Sequence, residues 1–341
     1  MKQLGIGIIG AGRIARVHAE AYKAVAGGKL IAVAESEPLR LEAFSREYHI
    51  EPYRSYQDLL RHPGVDAVVI ATPNWLHTEM ALAAAAAGKH VFCQKPLALT
   101  VEETDAIIAA TKKAGVLLQV GFMLRFTPPM QEVKTLVAGG GLGDIIALRA
   151  AVFGWEPSAD WFYDKSKGGG VILDTMIHFA DLLIWLVGGL REVHALGGAY
   201  VLEGAKRHRS PDNASVQFRH GNGASSQIYV SWTTGYGDFL YEIYGSRGTI
   251  SVNFLERQIT SVFFKDTPRV KFHDHAAGWN RLNLQWPAGY AGEAQYFVDQ
   301  VRGSAPAGNA SGEDARAALI AALAAQESLD TGRVVQVEAR P

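Results

Sequence analysis

Short apolar runs and amphipathic stretches alternate along the first third of the chain. Continuous apolar runs fall at 4–9, 30–34, 67–70, 90–93 and 116–120, with helical periodicity at 14–26, 39–48, 78–87 and 101–114 between them. The runs are brief and bounded by Gly or Pro, as strands covered on both faces should be. Their alternation with helices predicts a doubly wound α/β domain. Thr100 and Glu103 have the spacing of a capping box at the start of the last of these helices.

The pattern changes beyond Gly121. Pro128-Pro129 opens a helical stretch that runs to the glycines at 139–141, and β-type runs then dominate at 145–153, 193–201, 215–218, 225–232, 241–244, 249–254 and 259–264. One strong helical pattern, 171–186, interrupts them, and helical stretches at 291–302 and 313–328 precede a short strand at 334–337. This half reads as an α/β domain built on a large, mainly antiparallel open sheet. The expected partition is 1–124, a doubly wound (Rossmann) α/β domain, and 125–341, a second α/β domain.

Bulk composition narrows the function classes. The 341 residues are 48% hydrophobic and 20% charged, with a net charge of −1, so no basic surface advertises nucleic acid and no polybasic tract a membrane. No apolar run reaches the length of a membrane helix, and the apolar start of the chain reads as a first strand rather than a leader. The single cysteine, Cys93, fits a reducing, cytoplasmic setting and an inert core position.

The candidate chemistry begins where the first run ends. Gly10-Ala11-Gly12-Arg13-Ile14-Ala15 joins that strand to a helix start, the context a pyrophosphate loop requires. Gly5-Ile6-Gly7-Ile8-Ile9-Gly10 also fits the glycine spacing, but it lies inside the apolar run where no helix opens. Gly10, Gly12, Arg13 and Ile14 are therefore the cofactor loop. Glu35 ends the second run, 20 residues beyond Ala15, where a carboxylate accepts a hydrogen bond from an adenosine ribose. Its charge would repel a 2′-phosphate, so NAD is expected over NADP. Thr72 and Asn74 follow the third run, and Gln94 and Lys95 the fourth; both lie at carboxyl ends of strands, where ligands bind in open parallel sheets. In the second half, Asp174 and His178 are spaced i, i+4 on a largely apolar helix. Such a pair serves equally as a local helix interaction, yet polar groups on a buried helix need partners, which tilts the reading towards a proton-transfer site.

Several motifs in order resemble the glucose–fructose oxidoreductase / inositol dehydrogenase / rhizopine catabolism (Gfo/Idh/MocA) family. They are the glycine loop, Ala71-Thr72-Pro73-Asn74 with His77, Gly88-Lys89-His90-Val91 leading to Gln94-Lys95-Pro96, and the Gly168-Gly169-Gly170…Asp174…His178…Asp181 helix. The resemblance implies NAD or NADP, a sugar or cyclic polyol substrate, and homodimers or homotetramers formed through the C-terminal sheet. It implies catalytic roles for Lys95, Asp174 and His178, and adds His77 to the cofactor residues. His178 would take the hydroxyl proton, with Asp174 orienting it and Lys95 bonding the same oxygen. The chain departs from the family pattern at Gln94, where Glu is usual, and at Met176, where Gly is common. Gln94 keeps open a cofactor-binding sensor without turnover; an epimerase, dehydratase or glycosidase using NAD transiently is a further alternative.

Met123, Arg125 and Trp161 are additional substrate-binding candidates, with Tyr163, Lys165 and Lys167 nearby. Trp279, Asn280, Asn283 and Trp286 form an aromatic, amide-rich stretch that suits a sugar or a surface loop. His273-Asp274-His275 lacks a third ligand, and no metal site is expected.

Overall fold

A computed structural model describes residues 3–154, 156–234, 239–253, 258–264, 286–306 and 308–337. The chain forms two compact units. Unit 1 comprises Met1–Phe126 and Pro287–Arg316, and unit 2 comprises Thr127–Trp286 and Ala317–Pro341. The first break thus falls at 126 rather than 124. The contiguous partition is corrected by the return of 287–316 to unit 1, where Ala294, Phe297 and Val298 join the apolar core around Ile6, Tyr22 and Phe92.

The sheet of unit 1 has strands β1 (Leu4–Ile9), β2 (Gly28–Ala34), β3 (Glu51–Tyr53), β4 (Ala67–Ile70), β5 (His90–Cys93) and β6 (Leu118–Val120). Their order is β3-β2-β1-β4-β5-β6, with every neighbouring pair parallel. All residues of β1 and β4 are buried, which is why they read as unbroken apolar runs. Helices α1 (Arg13–Ala24), α2 (Pro38–Tyr48), α3 (Tyr56–Leu60), α4 (His77–Ala86) and α5 (Val101–Ala114) connect the strands. Local chemistry fixes their ends. The Glu37 carboxylate accepts from the Leu39 and Arg40 amides at the start of α2, and Thr100 and Glu103 form the reciprocal capping box of α5. The strand order reverses between β1 and β4, which opens the ligand crevice of such sheets at their carboxyl ends.

Unit 2 holds α6 (Pro128–Ala138), β7 (Ile145–Phe153), α7 (Ile177–Val187), β8 (Leu190–Gly198), α8 (Glu203–His208), β9 (Asn213–His220), β10 (Ser225–Ser231), β11 (Phe239–Gly245), β12 (Gly248–Asn253) and β13 (Gln258–Phe264). Helix α9 (Trp286–Val301) belongs almost wholly to unit 1, α10 (Gly312–Thr331) starts there and ends in unit 2, and β14 (Val335–Gln336) closes the second sheet. That sheet runs β13-β12-β11-β7-β10-β9-β8-β14, antiparallel except for the parallel β7–β10 pair. Strict alternation divides its faces: Val216, Phe218, Ile228 and Val230 are buried, while Gln217, Arg219, Gln227 and Tyr229 are exposed. Helix α7, apolar on nearly every side, packs on β7 and β10.

Candidate functional site

The glycine loop has the form its sequence predicts. Gly10 has φ +101°, and a Cβ there would meet the Ala71 carbonyl oxygen at 2.6 Å, so only glycine carries β1 into this turn. A Cβ at Gly12 would meet no described atom within 4 Å, and Gly12 is the N-cap of α1 with no side-chain cap. The first-turn amides of Arg13 and Ile14 are therefore presented without a capping side chain, in the geometry that binds anions. Ala15 is wholly buried, as the small third position of the loop requires.

Glu35 completes this end of unit 1. Its carboxylate accepts from the Ala11 amide at 3.1 Å, the Glu37 amide at 3.0 Å and the Ser36 hydroxyl at 3.3 Å. Three donors hold a half-buried carboxylate against the glycine loop. Arg40, a nearby cation, pairs with Glu37. An open backbone turn, an exposed helix start and a pinned acid at the end of β2 fit an adenine dinucleotide.

The next strand ends add a second group of residues. Asn74 is buried in a short 3₁₀ turn after β4, and the Thr72 hydroxyl donates to Met80 Sδ at 3.4 Å. His77 is completely buried, with Nδ1 2.8 Å from the Pro96 carbonyl oxygen and Nε2 2.9 Å from that of Thr72. Burial holds its pKa below the usual imidazole value, and the charge of Lys95 adds to the effect. A neutral ring donates to one of these two carbonyls. His77 thus ties the loops after β4 and β5 together through the Thr72 and Pro96 carbonyls, and with no exposed surface it is placed as a support rather than as the expected direct cofactor contact. Gln94 is buried too, its amide 2.5 Å from His18 Nε2. Cys93 is fully buried, and burial pushes its thiol pKa up.

In unit 2 the glycine run sets up a second site. A Cβ on Gly168 would meet the backbone of Phe162 at 2.4 Å, and Gly170 has φ +68°. The chain then enters a π-helical turn, Ile172–Met176, that carries Asp174 and runs directly into α7 with His178. The sequence pattern predicts an ordinary helix here; the widened turn is a departure often associated with function. Asp174 and His178 are both half-buried. Met176, where the family often has glycine, is fully buried. The Thr175 hydroxyl donates to Asp174 Oδ2 at 3.1 Å and accepts from Trp232 Nε1 at 2.8 Å. Trp232 and Thr175 escape sequence reading because neither carries reactive chemistry; they act by aiming Asp174. Thr175→Val removes both bonds and is expected to cost about 1–3 kcal/mol of stability, by denaturant unfolding, through the stranded indole N–H. It should also lower turnover about tenfold or more. Unchanged turnover would remove Thr175 from the site.

Other candidates are committed elsewhere. Arg125 is 1% exposed, paired with Asp314 Oδ1 at 3.1 Å and donating to Asn309 Oδ1 at 3.2 Å. It anchors the returning segment of unit 1, so its expected substrate role is corrected to a structural one; Met123, also 1% exposed, is core. Trp161 is half-buried and stacked on Phe162 at 3.8 Å. Tyr163 is buried against Trp232, Lys165 pairs with Asp330, and Lys167 with Asp164. Trp279, Asn280, Asn283 and the 273–275 stretch lie outside the described residues, as does the Trp286 side chain. Among the described residues no cluster of His, Cys, Asp or Glu is built to hold a metal, and no helix is long and apolar enough to cross a membrane. Gln94, Lys95 and His77 are brought together in unit 1, whereas Asp174 and His178 belong to unit 2.

Comparison with known proteins bears on this arrangement. Residues 4–122 match the model of an oxidoreductase family with an NAD-binding Rossmann fold, GFO_IDH_MocA, and residues 130–251 match the GFO/IDH/MocA C-terminal domain. The chain is 32% identical to the myo-inositol 2-dehydrogenase of Thermotoga maritima over 337 residues, covering 98% of each. It is 30% identical to the scyllo-inositol 2-dehydrogenase (NAD(+)) of Bacillus subtilis over 351 residues, covering 99% of this chain and 97% of that protein. The structure of a levoglucosan dehydrogenase in complex with NADH and levoglucosan superposes with a TM-score of 0.87 at 25% identity, covering 98% of this chain and 100% of that one.

Proposed function

The chain belongs to the GFO/IDH/MocA family of NAD-binding oxidoreductases, and from that premise we propose that it oxidises a carbinol carbon of a sugar or cyclic polyol, reversibly and with NAD. The observation that carries this reading is the pinned Glu35 carboxylate at the open glycine loop of an all-parallel sheet. Relatives that act on inositols and bind levoglucosan support a polyhydroxylated ring as the substrate class.

The amides of Gly12, Arg13 and Ile14 would receive the pyrophosphate, and Glu35 would accept from the ribose 2′-hydroxyl. Thr72, Asn74, Gln94 and Lys95, at the ends of β4 and β5, would hold the nicotinamide half. When bound, the nicotinamide supplies the hydride acceptor for the carbinol carbon. His178 takes the hydroxyl proton onto an imidazole nitrogen as the carbonyl forms. Asp174, aimed by Thr175, orients that ring, and the Lys95 ammonium donates to the oxygen on which negative charge develops. Trp161 shapes the sugar pocket.

Two experiments address this reading. Screening inositols, anhydro-sugars and aldoses for net NADH formation tests the reaction class. Turnover without net NADH favours transient use of NAD, and cofactor binding with no turnover favours the sensor. Glu35→Ser is expected to reduce the NAD-over-NADP ratio of kcat/KM by about 10- to 100-fold, the worth of one charged hydrogen bond. An unchanged ratio would move cofactor selection away from Glu35.

The homodimer or homotetramer belongs to the same proposal. Leu196 and Tyr229 are exposed on the outer face of the second sheet, beside a concavity of about 510 Å³ lined by Arg149, His194, Gln217 and Tyr244. A mainly antiparallel sheet leaves one face to water or to a partner, and a second copy of this chain is the proposed cover. Leu196→Glu should lower the mass measured by light scattering towards that of a single chain; an unchanged mass would place the interface elsewhere.

A further inference from the structure

Unit 1 contains a buried polar cluster that the proposed reaction does not use. His18 Nδ1, Tyr22 Oη, Gln119 Oε1 and both Glu293 carboxyl oxygens have no hydrogen-bond partner among the described residues. All four residues are between 0% and 2% exposed. They come from three elements that meet in the apolar core. His18 and Tyr22 lie one turn apart on α1. Glu293 sits one turn beyond Tyr290 on α9, and the Tyr290 ring meets the His18 ring edge-on at 5.5 Å. Gln119 reaches over from β6 and donates Nε2 to the Glu293 carbonyl at 3.0 Å. Phe92, on β5, packs against both His18 and Phe297 and walls the cluster with hydrocarbon.

Folded proteins pair buried polar groups with protein or with ordered water. Several buried donors and acceptors left without protein partners in one cluster are what an internal water satisfies. The charge states agree. Burial holds the Glu293 carboxyl well above the usual carboxylate range, and burial together with Glu293 raises the Tyr22 phenol. Burial pushes His18 down to about 3. The cluster is therefore neutral, and a carboxylic acid, a phenol and an imidazole N–H all donate.

The cluster also has an outlet. The Gln94 amide donates to the unprotonated His18 Nε2 at 2.5 Å, which leaves the ring hydrogen on Nδ1, the atom without a partner. The same amide packs against Gly121, where a Cβ would meet Gln94 Nε2 at 2.7 Å. Gln94 is the residue immediately before Lys95. We propose that Glu293, Tyr22, Gln119 and His18 enclose an internal water site and that, through the His18–Gln94 contact, this site positions Lys95. Glu293 is then a positioning residue; its effect on turnover rests on the dehydrogenase reading, but its effect on Lys95 does not.

The test uses the full chain with NADH bound. A high-resolution crystal structure should show ordered water bonded to at least two of the Glu293 carboxyl, Tyr22 Oη and His18 Nδ1. Direct bonds among these groups with no water would overturn the site. The positioning role is read by acetic anhydride labelling of Lys95, quantified by mass spectrometry against the other lysines, alongside kcat. Glu293→Met should change Lys95 labelling and lower kcat about tenfold or more while NADH affinity is kept, because small displacements at a reacting centre are costly. Glu293→Gln, which keeps a polar group of the same shape, should restore both. Wild-type labelling and kcat in Glu293→Met would refute the positioning. If that variant does not fold, Tyr22→Phe, which deletes one hydroxyl, carries the same readouts. Labelling needs no substrate, so a chain inactive on every polyol still reports on this site.

Discussion

His178→Ala is expected to lower turnover by roughly 10²–10⁴, the contribution of a positioned general base. His178 follows a π-turn that three consecutive glycines allow the chain to enter, and it shares that segment with an acid whose carboxylate is fixed by Thr175 and, behind it, Trp232. His178 is half-buried on a helix whose other faces are filled by Ile177, Phe179, Leu182 and Leu186. Such a chain of contacts holds a carboxylate steady, which matters for a proton transfer and matters little for a surface residue. NADH binding should be unaffected, because the glycine loop and Glu35 lie in unit 1. Steady-state kinetics with a turned-over polyol, paired with fluorescence titration of NADH, reads the two effects separately. A loss of only a few-fold in kcat would retire His178 as the base.

Lys95→Met is expected to lower turnover by about 10²–10³, the usual cost of removing one donor to a developing oxyanion. Methionine keeps the length of the stem and deletes the charge. Lys95 is half-buried on a loop braced from below by His77, which reaches the Thr72 and Pro96 carbonyls. A purely solvated lysine would not be supported in this way. The effect should fall mainly on kcat, because charge builds on the substrate oxygen only as the reaction proceeds. A rise in KM at constant kcat would reassign Lys95 to substrate binding alone.

How much was legible depended on burial. Strands β1, β4 and β5 read cleanly because burial demands largely apolar residues, and Gly or Pro lies near both ends of β4 and β5 and directly after β1. The capping box at Thr100 and Glu103 is visible because its chemistry is local. Strand β3 is not: Glu51-Pro52-Tyr53 lies at a sheet edge, where exposure and a proline are tolerated and no pattern is imposed. The return of 287–316 to unit 1 leaves no periodic signal either, since an apolar helix face does not say which core it joins. Arg125 shows the same limit. A cation after the last Rossmann strand reads as a ligand for substrate, and only the distant Asp314 and Asn309 reveal it as an internal tie. The π-turn at Ile172–Met176 is equally hidden, because the 3.6-residue pattern of an ordinary helix continues through it. The glycine loop, Glu35, Lys95, Asp174 and His178 stand out in the sequence as candidates because each combines a glycine turn or a reactive type with a position at a strand end or on an apolar helix. His77 stands out only as part of a motif and as a cofactor contact, and its bracing of Thr72 and Pro96 is not visible there; Thr175, Trp232 and Glu293 do not stand out at all, because a buried residue that works through its neighbours has no signature apart from its contacts.

The most direct measurement is a single turnover with substrate carrying deuterium on its carbinol carbon, with the cofactor recovered and weighed by mass spectrometry. Hydride transfer from the carbinol carbon places one deuterium in the reduced nicotinamide per turnover, and that label should appear markedly more slowly in His178→Ala and Lys95→Met. A product formed with no label in the cofactor, or label arriving at the wild-type rate in both variants, would contradict it.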